Sequence, residues 1–204
     1  MSSSFRYTLL YAARVLIYSG WMILINAIFM YDAQNPTSTG KFGEISGTEI
    51  MQAIILALVT LLFYLAGKAD KSIRAVSYLA AVIFFMSLIR EHNNQIDFWF
   101  YLVLPFIGLF LYLLIAYRKE FFDSLKSLLE IPATAYLVVG FLVTYVFSRF
   151  FGRTSFWQAL LENYYHRWAK NAAEEGIELL GYSLILIGIV EVYIAVRWTR
   201  KKIK

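Results

Sequence analysis

Apolar residues fall in six long stretches, at about 8–30, 48–66, 75–89, 98–116, 132–147 and 177–196, parted by shorter polar segments. The runs are continuous and do not alternate with a period of two, so they predict helices rather than the strands of a membrane barrel. A helix needs about 20 residues to cross roughly 30 Å of hydrocarbon. The third and fifth stretches reach that length only by taking in polar neighbours, to 75–94 and 132–151, which brings those polar residues near lipid depth. The expected fold is all-α: a polytopic membrane protein in which six transmembrane helices form one domain over residues 1–204.

Two connecting segments predict short helices lying at the membrane surface. Phe121, Phe122, Leu125, Leu128 and Leu129 follow helical spacing opposite Asp123, Lys126 and Glu130, and Pro132 then stands where a helix start tolerates proline. Phe156, Trp157, Leu160, Leu161, Tyr164 and Trp168 form a second apolar and aromatic stripe.

Composition supports a lipid environment. Hydrophobic residues make up 60% of the 204 and charged residues 16%, against about 25% charged in soluble domains. With 17 Phe, 15 Tyr and 5 Trp, a chain this small cannot hide its apolar surface from water. The absence of cysteine excludes disulfides, thiolate metal sites and iron–sulfur clusters. The two histidines rule out a three-histidine zinc site, and their positions near the outer face, with none mid-membrane, argue against haem. No phosphate-binding glycine loop or nucleophile elbow is present.

The net charge of +5 is explained by orientation. Lys68, Lys71 and Arg74 follow span 2, Arg118 and Lys119 follow span 4, and the tail reads RWTRKKIK. All fall on one side if both termini are cytoplasmic, as the positive-inside rule requires. The connection over 149–176, with Arg149, Arg153, Arg167 and Lys170 outside, is discordant. No basic patch points to nucleic acid. The first stretch is too long for a signal peptide and is read as a retained anchor.

Ionisable residues beside apolar spans are costly unless paired or functional. One group ends span 3: Arg90, Glu91, His92, Asn94 and Asp97. If the helix continues, Arg90, Asn94 and Asp97 share a face. Another opens span 6: His166, Arg167, Asn171, Glu174, Glu175 and Glu178. Both lie at the outer end in this topology, where Glu49 and Gln52 of span 2 can join them. Glu178, inside the apolar run, is expected to pair with Arg90. At the opposite end Arg14 of span 1 and Glu191 of span 6 lie at matching depth and are expected to form an intramembrane ion pair.

The outer cluster offers oxygen and imidazole ligands, suiting a candidate divalent cation or a proton relay. The leading expectation is an outward-facing site for a cation or a polar headgroup, used in transport or sensing. One alternative is a membrane-embedded, metal-assisted hydrolase acting on lipid. Another is a non-catalytic subunit of a homo-oligomer or larger membrane complex, its Arg/Glu network only locking spans 3 and 6 together. Binding is favoured over catalysis, since no catalytic motif is recognised.

Three fragments carry a resemblance. Ile89-Arg90-Glu91 with Asp97, Val146-Phe147-Ser148-Arg149 leading to Gly152, and Glu174-Glu175-Gly176-Ile177-Glu178-Leu179-Leu180-Gly181-Tyr182 resemble a group of small multi-pass bacterial inner-membrane proteins. The similarity spans roughly the second half of the chain. It implies a bacterial inner membrane and makes the outer acidic cluster the group's hallmark, without assigning any catalytic role.

Overall fold

The computed structural model describes residues 3–38, 40–42, 45–92 and 96–203, without the side chains of 3 and 199–203. The protein is 85% helical, with no strand among the described residues. Its helices are α1 (Ser3–Gln34), α2 (Gly47–Ala69), α3 (Arg74–Glu91), α4 (Trp99–Ala116), α5 (Phe121–Leu129), α6 (Thr134–Leu142), α7 (Ser148–Phe151), α8 (Thr154–Leu161) and α9 (Arg167–Ile203). A π-helical turn, Val143–Phe147, joins α6 to α7 without a break.

Among the described residues, five segments are long and apolar enough to cross a membrane: Ser4–Gln34, Gly47–Ala69, Trp99–Ala116, Thr134–Phe151 and Arg167–Trp198. The 18-residue α3 is the more polar exception, with Arg74 at its start and Arg90 and Glu91 at its end.

α9 and α2 are the central helices. α9 packs against both α2 and α6, and α2 packs against α3 on its other side. Ile55, Leu56, Val59 and Phe63 of α2 recur at helical spacing and are buried against Leu179, Tyr182, Ile185, Ile189 and Val192 of α9, with Phe84 of α3 joining them. By contrast α1 and α4 lie at the periphery. Leu16, Ile17 and Ile23 of α1 and Leu111 and Ile115 of α4 are exposed. Aliphatic surface of this extent suits hydrocarbon as the surrounding solvent, so the chain is built as an integral membrane protein.

Local chemistry closes the helix ends. The start of α2 would leave unpaired N–H groups. Asp32, buried at the end of α1, accepts from Gly47 N (2.9 Å), Thr48 N (2.7 Å) and Thr48 Oγ1 (2.6 Å). Ser46 supplies the side-chain cap to Glu49 N. At the far end of α2, Gly67 packs flat on Tyr78, where a Cβ would come within 2.8 Å of the ring. This close approach sets the antiparallel α2–α3 hairpin. α5 then docks beside the start of α3, where Ser124 Oγ accepts from Val76 N at 3.2 Å.

The tightest crossing is between α6 and α9. A Cβ on Gly140 would lie 2.8 Å from Gly181 O, and one on Gly181 would lie 2.9 Å from Thr144 N. Gly188 likewise lets Leu137 approach. The facing rows are Leu137, Gly140, Thr144 and Ser148 on one side and Glu178, Gly181, Ile185 and Gly188 on the other. On an ideal α-helix each four-residue step overshoots a full turn by about 40°. The π turn, bonded i to i+5, winds more loosely and takes back part of that drift. It thereby keeps Thr144 and Ser148, both fully buried, against α9.

Three expectations about element ends are corrected. Span 3 does not continue through residue 94: α3 ends at Glu91, His92 caps it, and Asp97 lies in a separate turn before α4. Arg90 and Asp97 therefore share no helical face, and Asn94 lies outside the described residues. The last helix begins about ten residues before its apolar run, at Arg167. The aromatic stripe Phe156–Trp168 is not one helix, because α8 stops at Leu161 and Trp168 belongs to α9.

Candidate functional site

The N-terminal end of α9 collects charge from its neighbours. Glu174 and Glu178 sit one turn apart on the α9 face that meets α6 and its continuation. Arg149, at the start of α7, reaches both: Nη2 lies 2.5 Å from Glu178 Oε1 and Nη1 lies 3.3 Å from Glu174 Oε1. Lys170, one turn before Glu174, donates to its Oε2 at 2.9 Å. Ser148 Oγ adds a contact to Glu178 at 3.3 Å. Gly152 leaves room for this arrangement, since a Cβ there would come within 2.5 Å of Glu174 Oε1.

A second arm comes from α3. Tyr182 OH donates to Glu91 Oε1 at 2.9 Å, and Arg90 Nη2 lies 3.4 Å from the same oxygen. The Tyr182 ring meets Tyr145 edge to face at 6.2 Å, and the Tyr145 hydroxyl pairs with Ser87 of α3 at 2.9 Å. The third arm is Gln52 of α2, whose Nε2 donates to Glu175 Oε2 (2.9 Å) and to the Glu175 carbonyl (3.2 Å). Four elements thus converge: α2, α3, α7 with its π turn, and α9.

The expected meeting of the third and last apolar segments therefore occurs, but with altered partners. Glu178 pairs with Arg149, not with Arg90. α2 stands between α3 and α9, so α3 reaches α9 only through the long Glu91 and Tyr182 side chains. The glycine crossing, meanwhile, presses Ser148 and Arg149 directly onto α9. Arg167 was expected in the network and instead lies exposed, while Arg149 and Lys170 make the ion pairs to Glu174 and Glu178. Asn171 is partly buried one turn before Glu175. His92 Nδ1 sits 3.0 Å from Leu88 O, a helix-end contact, and His166 stacks on Trp168 at 5.7 Å. The two histidines thus take local roles. Asp97 is exposed. Among the described residues, no group of three or more His, Asp or Glu side chains converges as a metal site would require.

Arg149 and Ser148 are the members that residue-by-residue reading of charge left out. A signal for Arg149 existed: it is the basic residue of the Val-Phe-Ser-Arg fragment, and it belonged to the discordant positive charge outside.

At the other end of the bundle Arg14 Nη1 lies 3.2 Å from Glu191 Oε2, and Tyr18 OH donates to Glu191 Oε1. The two charges whose depths match in the sequence are thus paired.

No family model, curated protein or solved structure matches the chain.

Proposed function

We propose that this chain is a six-span protein of a bacterial inner membrane whose outer cluster holds the anionic headgroup of a lipid. Counting α3 as the sixth span is supported by the Ser124–Val76 contact. It brings α5, which follows α4, to the end of the bundle where α3 begins, so α3 and α4 run its length in opposite senses. Lys68, Lys71, Arg74, Arg118, Lys119 and Arg197 then share one end with both termini, the arrangement expected of a cytoplasmic face. α5 and α8 lie at the two surfaces. The resemblance of the second half to bacterial inner-membrane proteins supports the compartment.

One observation carries the headgroup reading. Glu91, Glu174 and Glu178 already meet cations and their side chains are 15%, 19% and 6% exposed, whereas those of Arg90 and Arg149 are 40% and 45% exposed. A guanidinium has five donors in a fixed fork, and each of these two has donors to spare. Arg149 reaches Glu178, and Arg90 meets the Glu91 carboxylate that Tyr182 holds one turn further along α9, so they flank one place. Carboxylates inward and guanidiniums outward suit a phosphate better than a cation.

Lipid retention measures this. The protein, purified in mild detergent and analysed by native mass spectrometry, is expected to keep an anionic phospholipid in preference to a zwitterionic one. Arg90→Gln, which leaves the Arg149 pairs in place, weakens that preference several-fold. Equal retention of both lipid types by the unaltered protein overturns the reading.

A further inference from the structure

The four glutamates of the cluster are not equivalent. Glu91 meets Arg90, Glu178 meets Arg149, and Glu174 meets Arg149 and Lys170. Glu175 meets no cation among the described residues. It is partly buried, and its carboxyl receives one hydrogen bond, from Gln52 Nε2. The charged groups that bear on it most strongly are Glu178 of its own helix, Glu91 of α3 and Glu49 of α2, all acidic.

Gln52 supplies the second observation. It is 0% exposed, and its Oε1 has no hydrogen-bond donor. A buried acceptor left without a donor is costly, and native structures rarely leave one. The orphaned oxygen belongs to the same planar amide whose nitrogen already reaches the Glu175 carboxyl. A proton on that carboxyl supplies the missing donor. The acid O–H would then donate to Gln52 Oε1 while Gln52 Nε2 keeps its bond to the other carboxyl oxygen.

We propose that Glu175 and Gln52 form a proton-binding site in which Glu175 stands as a neutral carboxylic acid paired with the Gln52 amide. The site is separate from the Arg90 and Arg149 headgroup position and does not depend on it. Its ligand is a proton, taken from and returned to water at the outer surface. Losing it leaves a fourth carboxylate facing three cations.

Infrared difference spectroscopy on the full chain in lipid discs tests the site. At neutral pH a carbonyl band of a protonated carboxyl, above the amide I region and shifting to lower frequency in heavy water, is expected. Raising the pH removes it. Glu175→Gln abolishes the band, and Gln52→Met, which keeps Glu175 but deletes its acceptor, moves it to higher frequency. No such band in the unaltered protein overturns the proposal, whatever the variants do. So does a band that survives Glu175→Gln, and so does one that responds to added sodium at fixed pH, which would make the ligand a metal cation.

Discussion

Replacing Gly181 with alanine tests whether the charged cluster at the start of α9 depends on the backbone crossing of α6 and α9. A Cβ at 181 would stand 2.0 Å from Thr144 Oγ1, 2.9 Å from Thr144 N and 3.1 Å from Gly140 O. Relaxed contacts lie near 3.5–4.0 Å. The threonine oxygen can rotate away, but the two backbone atoms move only with their helix, so the crossing must open by roughly 0.5–1 Å on van der Waals grounds. Forced overpacking of this kind costs about 1–3 kcal/mol. Exchanging a helix-interior glycine for alanine returns up to about 1 kcal/mol. The expected net effect is destabilisation by about 1–2 kcal/mol, together with a longer Arg149–Glu178 separation. Gly20→Ala is the control: a Cβ there meets nothing within 4 Å, leaving only the propensity gain. Unfolding in mixed micelles, followed by far-ultraviolet circular dichroism, gives both values. Adding Thr144→Ala to Gly181→Ala relieves the 2.0 Å contact but neither backbone contact, so it restores only part of the loss. If Gly181→Ala is as stable as Gly20→Ala, or if Thr144→Ala restores everything, backbone contact does not limit this crossing and the reasoning fails.

The same unfolding assay checks two further positions. Arg14→Leu strands Glu191 with Tyr18 alone and is expected to cost about 3 kcal/mol, since no water replaces the lost countercharge within the span. The double change Arg14→Leu with Glu191→Leu is expected to recover at least half of that, and a double variant no better than the single one refutes the pairing. Asp32→Ala removes three hydrogen bonds at the start of α2 and is expected to cost about 2 kcal/mol. Asp32→Asn, which keeps one acceptor oxygen, is expected to lose roughly half as much.

Hydropathy locates what lipid touches, and it stops being informative where helices touch each other. The interiors of five crossing segments were legible because long apolar runs have no other use in a chain this small. Their ends were not. α9 extends back to Arg167 through Ala169, Lys170, Asn171, Ala172, Ala173 and Glu174, mostly ordinary helix-compatible residues whose polarity masks their continuity with the apolar run. The π turn at Val143–Phe147 has the same composition as the α-helix around it, so only the packing row it serves reveals it. The Arg149–Glu178 pair was hidden for another reason. Depth along the membrane normal can be read from position, which is why Arg14 and Glu191 could be matched. Order around the bundle cannot: nothing local says that α2 separates α3 from α9.

The glycines would have supplied part of that missing order. Gly140 and Gly181 mark where two backbones meet, and Gly152 marks where Glu174 needs space. Two of them stand within one turn of a charged partner in the pairs that form: Gly152 follows Arg149 by three residues, and Gly181 follows Glu178 by three. Asp97, the acidic residue of the quoted fragments with no glycine or small residue nearby, is the one that stays exposed. In an apolar bundle a charge is drawn inward where a missing side chain lets a countercharge approach. The acidic stretch of α9 is therefore best read together with the Ser148–Gly152 segment, as two halves of one contact.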